Sequence, residues 1–199
     1  MRISPKDTIE DVITKNAALF TIGFDRICEK VKTLDVPKYI PLIRSNKKPQ
    51  NIECRDTLPT LTMRELDMLS QVEPSLDYVF GVLSTMLRID EDQVPKLQFL
   101  GALRYYIQVL EDISAISKMW KKLEVHDEDA ITPDHPDRGV WAVVDEYSDD
   151  KKITMDKAWD ALCMDVYLHI EKNHDRYMAQ KARIEAQRRI NNGSKRNYR

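Results

Sequence analysis

The chain has 199 residues, 42% of them hydrophobic and 32% charged, with a formal net charge of −2. That length suits one domain with at most one extension, and a charged fraction above the globular average implies much exposed helix surface relative to core. Five glycines in the whole chain argue against a sheet-rich fold with many tight turns and for an all-α one.

The three cysteines, Cys28, Cys54 and Cys163, are an odd and scattered set without CxxC spacing. They make no disulfide framework and suit a reducing compartment. Cys28 and Cys163 read as small apolar core residues on helices. The N-terminal run MRISPKDTIEDVITK is polar and lacks the apolar stretch of a signal peptide. Nothing approaches the ~18 consecutive apolar residues of a membrane span, so the expected location is the cytoplasm.

The small net charge conceals a segregation. Residues 124–150 carry ten acids against one base, Arg138, while residues 172–199 carry nine bases against two acids, Asp175 and Glu185. Local balances of −9 and +7 bear on partners and self-association rather than on fold.

Along the chain, apolar residues at Ile9, Ile13, Ala17, Phe20, Phe24, Ile27, Val31 and Leu34 predict a helix over 7–34, with Ser4-Pro5 at its start and Gly23 as a place where it could break in two. Residues 35–60 hold Pro37, Pro41, Pro49 and Pro59, which keep that stretch out of regular helix. The pieces 38–44 and 51–58 form either a small hairpin or an extended arm lying on a neighbouring subunit. Thr62-Met63-Arg64-Glu65 has capping-box spacing and opens a helix to about Val72. Pro74 starts another, through Leu76, Phe80, Leu83 and Leu87, and Asp90, Gln93 and Pro95 mark a further start. The most regular apolar stripe in the chain, from Phe99 to Leu123, predicts a central core helix over about 96–124. Residues 125–137, with Pro133 and Pro136, read as a loop. A short helix or strand is expected at 140–147, broken by Ser148-Asp149-Asp150. The last helix is expected to start after Thr154 and run to Ile190, with Asn192-Gly193 as its stop. Its apolar stripe is dense through Met155, Trp159, Leu162, Val166 and Ile170 and then thins to Tyr177, Ile184 and Ile190.

Chemistry-bearing patterns are few. The dipeptides His126-Asp127 and His174-Asp175 lack the upstream histidine and downstream aspartate of HD-type phosphohydrolases. His126, Asp127, Asp129, Asp134, His135 and Asp137 are metal-ligating types, but their spacing matches neither an EF-hand loop nor a zinc site; a solvated acidic loop is the expected reading. His169 and His174 are five apart, which does not suit a helical zinc pair, and read as surface residues. GxSxG, GxxxxGK[ST] and GxGxxG are all absent, so no enzyme, no cofactor and no metal is expected. The candidate contact residues are the bases of the last helix and tail: Lys172, Arg176, Lys181, Arg183, Arg188, Arg189, Lys195 and Arg196. They suit phosphates of nucleic acid, a protein partner, or the acidic stretch of another copy in a head-to-tail contact.

The segment Leu61-Thr62-Met63-Arg64-Glu65-Leu66, followed by Phe80-Gly81-Val82-Leu83 and Arg88-Ile89-Asp90, resembles small helical virion and tail-assembly proteins of tailed bacteriophages, as does the closing Arg183-Ile184-Glu185-Ala186-Gln187-Arg188-Arg189 helix. The resemblance covers residues 60–123 and the style of the C-terminus, and no functional residue carries over from it. It implies an assembly role in a phage particle, without catalysis, in the host cytoplasm and then in the virion.

The expectation is therefore an all-α, irregular helical bundle. Residues 1–170 form the core, with 35–60 as an arm or hairpin, and 171–199 form a basic projecting helix and tail. The expected function is structural, through packing with copies of itself and other structural proteins. Nucleic-acid binding by the basic helix is the alternative, and a metal-dependent enzyme using loop 126–137 the third.

Overall fold

A computed structural model of the chain describes residues 3–15, 24–44, 48–70, 76–123 and 140–196. It is mostly helical, with one small two-stranded sheet.

Helix α1 spans Ile9–Lys15 and α2 spans Phe24–Val31. The start of α1 is fixed at Thr8 rather than at Ser4-Pro5. The Thr8 N–H donates to Asp11 Oδ2 at 3.0 Å, and the Asp11 N–H donates back to Thr8 Oγ1 at 3.1 Å, a reciprocal cap that satisfies two orphan backbone donors. The expected break at Gly23, with Ala17 and Phe20, lies outside the described residues.

Strands β1 (Tyr39–Leu42) and β2 (Gln50–Glu53) pair antiparallel, with Ile40 opposite Ile52 and Pro41 opposite Asn51. Pro41 lacks a backbone N–H, and its carbonyl faces away from β2 to accept the Gln98 N–H at 2.9 Å. The Ile43 N–H reaches Lys96 O on the same side. Ile40 and Leu42 are fully buried, so this proline-containing segment is part of the core packing.

Four short elements follow: α3 (Thr57–Thr60), α4 (Met63–Ser70), α5 (Leu76–Leu87) and a 3₁₀ turn over Glu91–Lys96. The capping box at Thr62 is formed, with the Thr62 N–H on Glu65 Oε2 at 2.9 Å and the Glu65 N–H on Thr62 Oγ1 at 3.2 Å. The proposed start at Pro74 lies outside the described residues. Pro95 sits inside the 3₁₀ turn, and the central helix α6 begins only at Phe99, running to Leu123. Gln98 sets that start, because its side-chain oxygen accepts the Gly101 N–H at 2.7 Å. Along α6, Phe99, Ala102, Tyr105, Tyr106, Val109, Ile113 and Ile116 are buried against residues of nearly every other element.

Helix α7 covers Val140–Lys151. The expected break at Ser148-Asp149-Asp150 is not there. Ser148 Oγ instead donates to Ile153 O at 2.8 Å, and the chain turns one residue past the helix at Lys152, whose φ is 54°. The last helix also departs from expectation. Thr154 precedes only a five-residue helix, α8 (Met155–Trp159), and α9 runs from Cys163 to Arg196. Between them the chain is pulled straight by the start of α4: Met63 N–H donates to Ala161 O at 3.0 Å, and Cys163 N–H to Leu61 O at 2.8 Å. Asn192-Gly193 does not stop α9, which continues to Arg196; a glycine inside a helix costs only about 1 kcal/mol relative to alanine.

Candidate functional site

Helix α9 has two regimes. In its first two turns Cys163, Val166 and Tyr167 are buried and Ile170 is packed against the core. The Tyr167 ring meets Trp120 of α6 edge-on, with centroids 5.5 Å apart, and the Tyr167 hydroxyl donates to Glu171 at 3.1 Å. Cys163 is sealed so thoroughly that burial pushes its thiol up to about 12. From 172 to 187, by contrast, no residue is buried, and Tyr177, Met178 and Ile184 stand 45–46% exposed. At 1.5 Å per residue, the length from Asn173 to Arg196 is roughly 35 Å. Solitary exposed apolar residues are ordinary. Three of them on a stretch of helix with no buried residue form an exposed apolar surface.

The candidate bases lie on this distal part. Lys172, Arg176 and Arg183 are exposed, and among the described residues none of the three is in an ion pair. Their spacing of four and seven places them on one face. Lys181 is half-buried and engaged, and by spacing it shares the other face with Tyr177 and Ile184. The eight bases therefore do not form a single stripe. Arg188, Arg189, Lys195 and Arg196 occupy the last turns of the same helix.

Where α7 meets α9 the structure assembles a polar cluster that the spacing of the histidines did not suggest. His169 is not a plain surface histidine: Asp150 Oδ2 lies 3.0 Å from its Nε2, and the Asn173 amide donates to the same oxygen. Tyr147 packs edge-on to the imidazole with centroids 5.4 Å apart. The hydrogen bonds from His169 and then Asn173 hold the Asp150 carboxyl below its ordinary value of 3.8. Among the described residues no group of three or more His, Cys, Asp or Glu side chains could hold a metal ion. The acidic loop 126–137 lies outside the described residues.

A cleft of about 540 Å³ opens between the base of the hairpin, α3 and α6, lined in part by Lys38, Arg55, Thr57, Tyr105, Gln108 and Asp112. Its polar groups are mostly occupied with holding the fold. Arg55 binds Glu65 and Thr60 O, Tyr105 donates to Arg55 O, and Gln108 bridges Arg104 and Asp112. The neighbouring Cys54 thiol is pushed up to about 12 by burial and by Glu53, so it stays protonated and is a poor nucleophile at neutral pH. Among the described residues lining the cleft, Thr57 Oγ1 is buried without a hydrogen-bond partner.

No protein-family model, curated protein or solved structure matches the chain. Among the described residues no helix is long and apolar enough to cross a membrane.

Proposed function

We propose that this chain is a non-enzymatic assembly protein, of the kind that builds tailed-phage particles, and that the distal part of α9 is its contact surface. The observation that carries this reading is the exposure of Tyr177, Met178 and Ile184 on a helix that has left its own core. A helix with so few apolar residues is marginal alone in water, and a partner that covers the Tyr177–Ile184 face stabilises it. The phage context rests on the resemblance of residues 60–123. The test is native mass by light scattering. The intact chain is expected above its monomer mass of 23.3 kDa. The double variant Tyr177→Glu with Ile184→Glu should fall to the monomer mass with its helix content kept.

The shared face of Lys172, Arg176 and Arg183 favours a second reading, nucleic-acid binding. Phosphate contacts are strongest at low salt. A monomeric chain that retains duplex DNA at low ionic strength, and releases it when Lys172 and Arg176 become Glu, would move the assignment to that reading.

A further inference from the structure

We infer that the partner of the α9 arm is a second copy of this chain, and that the arm docks on the outer, acidic face of that copy's α7. The inference rests on the assembly reading above and names the partner for the same surface. Helix α7 carries Asp145, Glu146, Asp149 and Asp150 against one base, Lys151. Val144 and Ser148 face the core, and the row Trp141, Asp145, Asp149 at i, i+4, i+8 runs along the flank of that face, with Asp145 half-buried and Glu146 and Asp149 exposed. Trp141 is 47% exposed and Asp149 is exposed. The exposed Trp141 and the carboxylates near it are matched by the arm, where the apolar pair Tyr177 and Ile184 lies one residue round the helix from the basic pair Arg176 and Arg183. Charge complementarity of this kind sets register and speeds encounter, while the apolar contact supplies affinity.

Within one chain α7 reaches only the start of the arm. Tyr147 lies against His169, and Asp150 against His169 and Asn173, so the C-terminal turn of α7 meets α9 just before its exposed stretch. It ends where the arm begins. Arg183 and Ile184 lie ten and eleven residues beyond Asn173 on the same continuous helix, roughly 15 Å past that contact. Contact between an arm and a different patch on the next copy is heterologous, and it closes into a ring or extends as a filament according to the rotation it imposes.

The experiment is a charge swap in the full chain, read by light scattering. Asp145→Lys with Asp149→Lys should reduce the protein to its 23.3 kDa monomer, and so should Arg176→Glu with Arg183→Glu. An equimolar mixture of the two variants should reassemble, because each arm then finds an opposite surface on the other protein. If the α7 pair lowers helix content, Asp149→Lys alone carries the test, since that side chain is exposed. An α7 reversal that leaves the mass unchanged while Tyr177→Glu with Ile184→Glu disperses the protein overturns the α7 dock and leaves the arm as the contact surface. A mixture that stays monomeric also overturns it. A wild-type chain that is monomeric at every concentration overturns it together with the self-assembly expected above.

Discussion

Glu65 shows how much a single side chain holds in this fold. Its carboxylate bonds Arg55 Nη1 at 2.9 Å and Nη2 at 3.3 Å, and it closes the capping box on the Thr62 N–H. Burial pushes its carboxyl up, but the bonds from Arg55 and Thr62 outweigh that, and the net position is below the ordinary 4.5. The two side chains are 14% and 18% exposed, so removing one leaves a largely desolvated charge behind. Glu65→Ala is expected to cost about 3 kcal/mol at neutral pH, measured by denaturant unfolding. The sign of the pH dependence follows from the lowered value. The stabilisation is complete above the unfolded carboxylate's pKa and is lost as pH falls through the lower folded one. The gap between wild type and Glu65→Ala should therefore shrink as the solution is taken below about pH 4.

Some ends set by neighbours in sequence were legible, while the Thr8–Asp11 and Gln98–Gly101 caps, equally local, were passed over, and ends set by distant chain could not be read at all. The Thr62 cap is an i, i+3 device, and the α6 stripe is a period, so both could be read directly. The straight segment between α8 and α9 could not. It exists because Leu61 and Met63 take the hydrogen bonds of Cys163 and Ala161, about a hundred residues away, and a helix-compatible apolar pattern runs straight through the break. The Asp150–His169–Asn173 cluster was hidden for the same reason, since its geometry depends on how that break aims α9 past α7. One substitution isolates the device. Cys163 is the first residue of α9, where proline's backbone angle is acceptable, so Cys163→Pro chiefly deletes the N–H that serves Leu61 O. Leu61 is fully buried, and an orphaned buried acceptor costs about 1–3 kcal/mol. Cys163→Pro should be less stable than Cys163→Ala by that amount in thermal or denaturant unfolding.

At the scale of the molecule the division within α9 is a claim about where stability ends and recognition begins. The helix is continuous from Cys163 to Arg196, so its backbone gives no sign of the change; only side-chain burial does. Ile170 and Ile184 make the comparison clean, being the same residue type on the same helical face, fourteen positions apart. Ile170 is packed against the core and Ile184 is 46% exposed. Replacing Ile170 by Asp removes buried apolar surface and puts a carboxylate among core side chains. That should destabilise the fold by about 2 kcal/mol or more. Replacing Ile184 by Asp exchanges one solvated side chain for another and should change monomer stability by no more than about 0.5 kcal/mol. Assembly should respond in the opposite order, with Ile184→Asp the more damaging. Unfolding of both variants under conditions where the chain is monomeric, followed by light scattering where it is not, separates the two effects. Equal losses of stability would mean that the arm belongs to the core after all, and that its exposed face is not held in reserve for a partner.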